Sequence, residues 1–185
     1  MINPTTKCGV LNDWDLSYYR PFPDGNGQVV GGERTGTLPF MALDLLTDKA
    51  WKGNVQRLYR HDLEGFIWIL PWVFLQFEGT KRINCRLAGW ETGDFRKCTM
   101  EKRGLFSELD EKSIPTAEWT AEWELAVQLL YWLQVEEGLR GLDRKAPLLS
   151  PKDVFNRFYD VLCKAQQCYP PLEKLMHELK LTPIE

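Results

Sequence analysis

The sequence predicts a single, mostly α-helical domain with one short strand near its N-terminus. Several segments place apolar residues at helical spacing, and residues that start or stop helices flank them. The strand is predicted where Val10 and Leu11 precede an acidic turn. With 185 residues, of which 44% are hydrophobic and 26% are charged, the chain has the size and composition of one folded domain.

The first long helix is predicted to begin at Asp62, whose carboxylate is placed to cap it. Pro71 is expected to kink this helix, because proline removes a hydrogen bond and crowds the preceding turn. The apolar run over residues 66–75 is half as long as the roughly 20 residues that cross a bilayer, so it predicts a buried helix. The side chains expected on the buried face are Phe66, Ile67, Leu70, Phe74 and Phe77.

Further helices are predicted in the C-terminal half. Thr92 or Asp94 is placed to cap a helix that runs through residues 100–103, and residues 117–137 form the next helix, with Gly138 as its stop. Residues 150–153, Ser-Pro-Lys-Asp, have the pattern of another helix start, which Pro170 and Pro171 would end before a last short helix. The stripe expected to be buried on the 117–137 helix is Trp119, Trp123, Val127, Leu130 and Leu133.

Charge and cysteine usage narrow the classes of function. The net charge of −3 and the lack of a basic cluster argue against a nucleic-acid or membrane partner. Residues 1–7 have no apolar core, so neither a signal peptide nor an anchor is expected. The five cysteines form no Cys-x-x-Cys pair, and an odd count fits reduced thiols, so we expect an intracellular protein of the cytoplasm or nucleus.

Residues 9–17, Gly-Val-Leu-Asn-Asp-Trp-Asp-Leu-Ser, carry the first sign of chemistry. Asp13 and Asp15 lie on either side of Trp14, directly after the predicted strand. A carboxylate at the end of a buried strand suits Mg²⁺, which takes one or two carboxylates together with substrate phosphates. On these nine residues alone, an ordinary acidic turn after a short strand is the favoured interpretation.

Two later blocks make the pattern more specific. Residues 34–46 read RTGTLPFMALDLL, and residues 59–70 read YRHDLEGFIWIL. Together with residues 11–17, these blocks resemble protein kinases, and most closely the fungal-type protein kinase family. In order, they are similar to the Asp-Phe-Gly metal motif, the Gly-Thr-x-x-Phe-Met-Ala stretch that closes the activation segment, and the acidic start of the large central helix. The resemblance covers roughly residues 9–100.

The resemblance implies a fold and a division of the chain. The expected fold is the large C-terminal lobe of a protein kinase, as a fragment that lacks the small lobe and the catalytic loop. Residues 1–17 would form the metal-motif strand and turn, residues 18–46 the activation segment, and residues 60–185 the helical lobe. Residues 18–33 are rich in glycine and proline and form an unusually long loop, which fits a functional segment.

The resemblance also implies roles for single residues of the metal motif. Asp13 would bind the Mg²⁺ that bridges the ATP phosphates, and Trp14 would replace the phenylalanine that packs beside it. Asp15 stands where most kinases have glycine, which leaves the local backbone geometry in doubt.

Three further positions match the family pattern. Thr37 would line the loop where the substrate docks; without a catalytic loop, the favoured alternative is that it only forms a Gly-Thr turn before Pro39. Asp44 would take the acidic position of the Ala-Pro-Glu-like motif and pair with a late arginine, either Arg140 or Arg144. Asp62 holds the catalytic loop in a whole kinase, and here its remaining role would be to cap the central helix.

The parts of a kinase that hold ATP and activate the substrate are not found in these 185 residues. No Gly-rich loop, ion-paired Lys or catalytic-loop Asp and Asn is recognisable. Residues 60–63, Arg-His-Asp-Leu, are similar to a catalytic loop, but they follow the metal motif, and Ile67 stands where the Asn belongs. We therefore assign no catalytic residue and expect neither ATP nor Mg²⁺ to bind well to this chain alone.

Two functions stay open from the sequence. The chain is either the C-terminal lobe of a fungal-type protein Ser/Thr kinase, truncated and inactive in isolation, or a non-catalytic kinase-like module for protein interaction or regulation. In both cases a protein partner, or the missing kinase half, is expected to cover the central helix. If four large side chains of that helix stay wet, the cost is about 6–12 kcal/mol. Residues 80–105, with the mixed cluster Glu101-Lys102-Arg103, are interpreted as a solvated face, with a docking surface as the alternative.

Overall fold

A computed structural model describes residues 37–109, 114–142, 149–165, 167, 169–178 and 183. All of these belong to a compact unit that spans residues 36–185. The predicted strand, together with Asp13, Trp14 and Asp15, lies outside the described residues, as does most of the predicted activation segment. The described part is mostly helical, which confirms the predicted fold class at that level.

Six α-helices and one small hairpin make up the described fold, with 3₁₀ turns between them. The helices are α1 (Asp48–Trp51), α2 (Tyr59–Phe74), α3 (Phe95–Glu108), α4 (Thr120–Leu142), α5 (Pro151–Ala165) and α6 (Pro171–Glu178). The hairpin pairs β1 (Phe77–Glu78) with β2 (Lys81–Arg82) in antiparallel register. No helix of the described residues is long and apolar enough to cross a membrane.

The central helix α2 begins earlier than predicted. Its first residue is Tyr59, and the His61 Nδ1 atom accepts a hydrogen bond of 3.1 Å from the backbone N–H of Leu58. The prediction that Asp62 caps this helix is therefore wrong: its carboxylate is exposed in the first turn and pairs with Arg57 at 2.8 Å. The imidazole does the capping because it occupies the third helical position, from which it reaches back to the preceding residue.

The buried face of α2 differs in part from the prediction. Ile67 and Phe74 are buried as expected, and Pro71 lies inside the helix, also buried. Phe66, however, is 63% exposed, and Phe77 lies beyond the helix in β1. The helix instead buries Trp68, which lies about half a turn from Phe66 and packs against Trp90 and against Phe106 of α3.

The core is built around two tryptophans. Trp68 of α2 and Trp90, from the 3₁₀ turn Ala88–Glu91, are both fully buried and meet edge to face with ring centroids 5.4 Å apart. Such aromatic pairs add to the free energy of simple area burial. The remaining helices close the core with Leu105 and Phe106 of α3, Trp123, Leu130 and Leu133 of α4, Leu162 of α5, and Met176 of α6.

Most helix boundaries in the C-terminal half agree with local signals. The exceptions are Gly138, which does not end α4, and the two prolines, which lie beyond the end of α5. Asp94 caps α3 by accepting from the N–H groups of Arg96 and Lys97, and Ser150 caps α5 by accepting from the N–H of Asp153. Gly138 does not stop α4, which continues to Leu142, because a single glycine weakens a helix without ending it. Helix α5 ends at Ala165, before the two prolines. Pro171 opens α6, the position that proline favours.

Candidate functional site

Residues 37–46, which we call the anchored segment, form the candidate site. They belong to the block that resembles the end of a kinase activation segment. Two 3₁₀ turns, Leu38–Phe40 and Leu43–Leu46, shape it. Thr37 is exposed at its start, where its carbonyl accepts from the N–H of Phe40 at 2.8 Å and its hydroxyl caps nothing. Met41, Ala42 and Leu43 are buried, so the middle of the segment is held inside the protein.

Helix α2 approaches the anchored segment very closely. A Cβ atom added at Gly65 would lie 2.8 Å from the backbone oxygen of Phe40, closer than real Cβ contacts allow. Glycine at this position is therefore required by the distance between helix and segment, and not by an unusual backbone angle. The two elements pack backbone against backbone at this point.

Glu64 joins α2 to the anchored segment by hydrogen bonds. Its side chain is only 2% exposed, and Oε1 accepts from the backbone N–H of Leu43 at 2.7 Å and from Trp68 Nε1 at 3.1 Å. Burial raises the pKa of this carboxyl, while the two hydrogen bonds oppose that shift. A buried amide N–H without such a partner would cost about 1–3 kcal/mol, so Glu64 satisfies a real requirement of the segment.

Lys102 holds the same segment from the side of α3. It is fully buried, and Nζ donates a hydrogen bond of 2.6 Å to the backbone oxygen of Met41. The ammonium lies 4.8 Å from the ring centroid of Trp68 and 5.2 Å from that of Trp90. Burial lowers the pKa of Lys102 to about 8, although the anionic forms of Cys98 and Glu64 would favour the ammonium. The interpretation of residues 80–105 as a solvated face is thus wrong for Lys102.

Two more side chains of α3 reach carbonyls of the anchored segment. Cys98 Sγ lies 3.8 Å from the oxygen of Leu38, and Thr99 Oγ1 lies 3.5 Å from the oxygen of Leu46. Side chains of α2 and α3 therefore contact the segment between Leu38 and Leu46.

Asp44 forms an ion pair at the start of α2. Its carboxylate accepts from Arg60, and His61 Nε2 lies 3.7 Å from the same oxygen. The His61 imidazole and the Arg60 guanidinium, with a smaller effect of Arg140, hold the pKa of Asp44 well below its ordinary value. Because His61 Nδ1 accepts from Leu58, Nε2 carries the proton that faces Asp44.

The partner of Asp44 differs from the late arginine that the sequence suggested. Arg60 is sixteen residues away in sequence and makes the direct bond. Arg140 acts on Asp44 through its charge, and its buried Nε has no hydrogen-bond partner among the described residues. Arg144 lies outside the described residues. Local geometry decides the pairing, because Arg60 sits in the first turn of α2, next to the segment that carries Asp44.

Sequence reasoning missed Glu64 and Lys102, although a signal for each exists. Lys102 falls on the apolar stripe of α3, at helical spacing from four buried residues: Cys98, Leu105, Phe106 and Leu109. Glu64 similarly lies between Leu63 and the buried pair Ile67 and Trp68. A charged residue on an apolar stripe predicts a buried, hydrogen-bonded charge.

The predicted metal ligand cannot be placed. Asp13 lies outside the described residues, and the described residues contain no group of three His, Cys, Asp or Glu side chains that could hold a metal ion. Of the other residues singled out by sequence, Thr37 and Asp44 lie together on the anchored segment, whereas Asp62 lies on the exposed start of α2. Binding of Mg²⁺ and ATP therefore stays a prediction from the resemblance.

The comparison with known families falls on this part of the chain. Residues 1–74, which include the anchored segment and all of α2, match a protein kinase family. That family is the fungal protein kinase family, so the resemblance predicted from the sequence is confirmed over these residues. Neither the curated proteins nor the solved structures contain a match to this chain.

Proposed function

We propose that this chain forms the C-terminal lobe of a fungal-type protein Ser/Thr kinase and that the anchored segment is its platform for the protein substrate. The observation that carries the proposal is the attachment of residues 37–46 to α2 inside the residues that match the family. By resemblance, residues 37–46 correspond to the end of the activation segment and α2 to the large central helix, and the two are joined by the hydrogen bond between Glu64 and Leu43. Thr37, exposed at the start of the platform, is the residue that we assign to the docking loop.

The lobe contributes positioning, which is most of what phosphoryl transfer requires of a protein. When bound, Mg²⁺ neutralises charge on the phosphates, and Asp13 is the residue of this chain that would hold it. The anchored segment would orient the hydroxyl of the substrate, because Glu64 and Lys102 leave its middle little freedom. The nucleotide cradle and the catalytic base would come from a second polypeptide segment that carries those motifs.

These 185 residues alone are expected to show no kinase activity. Loss of a general base alone costs about 10²- to 10⁴-fold, and without a nucleotide cradle the ATP is not held at all. The pure chain should therefore transfer no phosphate from Mg-ATP to a generic protein substrate. Turnover that an Asp13→Ala substitution abolishes would contradict this prediction.

A complementation experiment tests the lobe assignment itself. The chain is mixed with a segment of a fungal-type kinase that runs from the Gly-rich loop through the catalytic loop, and complex formation and Mg-ATP-dependent phosphorylation are measured. We expect a complex with activity, and we expect Asp13→Ala to abolish activity while the complex still forms. A complex without activity would favour the non-catalytic alternative, and the absence of a complex would contradict the assignment.

A further inference from the structure

Two buried side chains of opposite charge type form hydrogen bonds with adjacent peptide groups of the anchored segment. Glu64 of α2 accepts from the N–H of Leu43, and Lys102 of α3 donates to the oxygen of Met41. These groups flank Ala42, which is itself fully buried. The two charged side chains belong to different helices, so together they tie the segment to both.

The tryptophan between them completes the arrangement. Trp68 Nε1 donates to the carboxylate oxygen of Glu64 that also receives the Leu43 N–H. The face of the same indole ring lies 4.8 Å from Lys102 Nζ. A Trp ring attracts a cation at its face and offers a donor at its edge, so Trp68 connects the two charges without a direct ion pair.

Such an arrangement is poorly suited to a purely stabilising role. Removing two charges from water costs several kcal/mol each, and apolar residues of similar volume often replace buried charges at little cost. What the charges supply, and apolar residues cannot, is a directional bond to one N–H and one C=O of an irregular segment. That direction fixes the position of the peptide chain on either side of Ala42.

We infer that Glu64 and Lys102 are positioning residues, which together act as a clamp that sets the conformation of residues 37–46 independently of the stability of the helical core. That the clamp holds a substrate-docking loop rests on the proposed function. That the clamp exists does not rest on it, because all its contacts lie within this chain.

Hydrogen exchange of the pure chain tests the clamp directly. In the wild-type chain the Leu43 amide should exchange slowly, although its acceptor is a side chain and no helix ladder protects it. Lys102→Met and Glu64→Leu should each speed exchange of residues 41–46 by roughly 10- to 100-fold, while exchange of α4 stays within about threefold. Glu64→Gln keeps an acceptor oxygen and should retain protection at Leu43.

The control variant is Lys97→Met, which removes an exposed lysine from the same helix and should change neither region. If the Lys102 and Glu64 variants exchange faster throughout the chain, the two residues only stabilise the core, and the inference is overturned. Unchanged exchange of residues 41–46 would overturn it as well. If both variants fail to fold, the wild-type measurement decides, because rapid exchange of the Leu43 amide rules out the clamp.

The complemented kinase provides a second readout. Lys102→Met should raise the KM for the protein substrate several-fold and leave the KM for ATP unchanged, because the backbone groups that the clamp holds belong to the docking loop. Equal changes in both constants would overturn the positioning role. Since hydrogen exchange needs no catalysis, failure of the kinase proposal and failure of the clamp are distinguishable.

Discussion

At the scale of single residues, burial of Lys102 changes the pKa of its ammonium group. Its ammonium is fully buried, yet it has a backbone oxygen at 2.6 Å and two indole faces around it. These contacts offset only part of the cost of desolvation, since the pKa of Lys102 still falls to about 8. The facing groups Glu64 and Cys98 favour the charged form, but burial outweighs them.

This lowered pKa predicts a pH dependence of stability. Between pH 8 and the ordinary value of 10.5, the unfolded chain keeps a proton that the folded chain has released. The free energy of unfolding should therefore rise with pH in this range. From pH 7 to pH 10, the wild-type chain should gain roughly 2 kcal/mol relative to Lys102→Met, as measured by urea unfolding. Parallel pH profiles in the two chains would contradict the assignment, and Lys97→Met should follow the wild type.

At the scale of elements, the site depends on how closely α2 approaches the anchored segment. Glu64 and Gly65 are neighbours on this helix: the first bonds to Leu43, and the second leaves room for the oxygen of Phe40. His61, one turn earlier, caps the same helix and faces Asp44. One helix face therefore supplies three successive contacts to the segment.

Gly65→Ala tests this contact. Alanine favours helices over glycine by about 1 kcal/mol, but here its Cβ would meet the backbone of Phe40, which cannot move aside easily. We expect a loss of about 1–3 kcal/mol in the free energy of unfolding, measured with urea. The matched control is Gly138→Ala in α4, where nothing lies within 4 Å of the added Cβ. That change should stabilise the protein by about 0.5–1 kcal/mol, and the same sign at both positions would refute the close contact.

At the scale of the molecule, the described fold covers most of the central helix but not all of it. Trp68 packs against Trp90 and Phe106, and Ile67 is buried as well. Fewer large side chains of α2 are therefore exposed than the sequence suggested. Phe66 stays 63% exposed and Tyr59 stays 42% exposed, about two turns apart on one face. This face is where we propose that the complementary kinase half binds.

Phe66→Ser should separate folding from binding. Because the side chain is exposed, the free energy of unfolding should change by no more than about 0.5 kcal/mol. Affinity for the complementary kinase segment, measured by titration, should fall by roughly 10-fold or more. Met100→Ser, at another exposed hydrophobic residue, should leave both unchanged, whereas Phe74→Ala in the core should cost about 3–5 kcal/mol. Undiminished affinity of the Phe66 variant would place the partner elsewhere.

The sequence by itself determined the family resemblance and most of the helices. Periodicity, the caps at Asp94 and Ser150, and the order of the kinase-like blocks are local features, and residues near in sequence carry them. Only the tertiary structure decided that Lys102 is buried against Met41, 61 residues away, that Glu64 bonds to Leu43, and that Asp44 pairs with Arg60. Burial of a charge depends on which distant partner satisfies it, and a local pattern does not contain that partner.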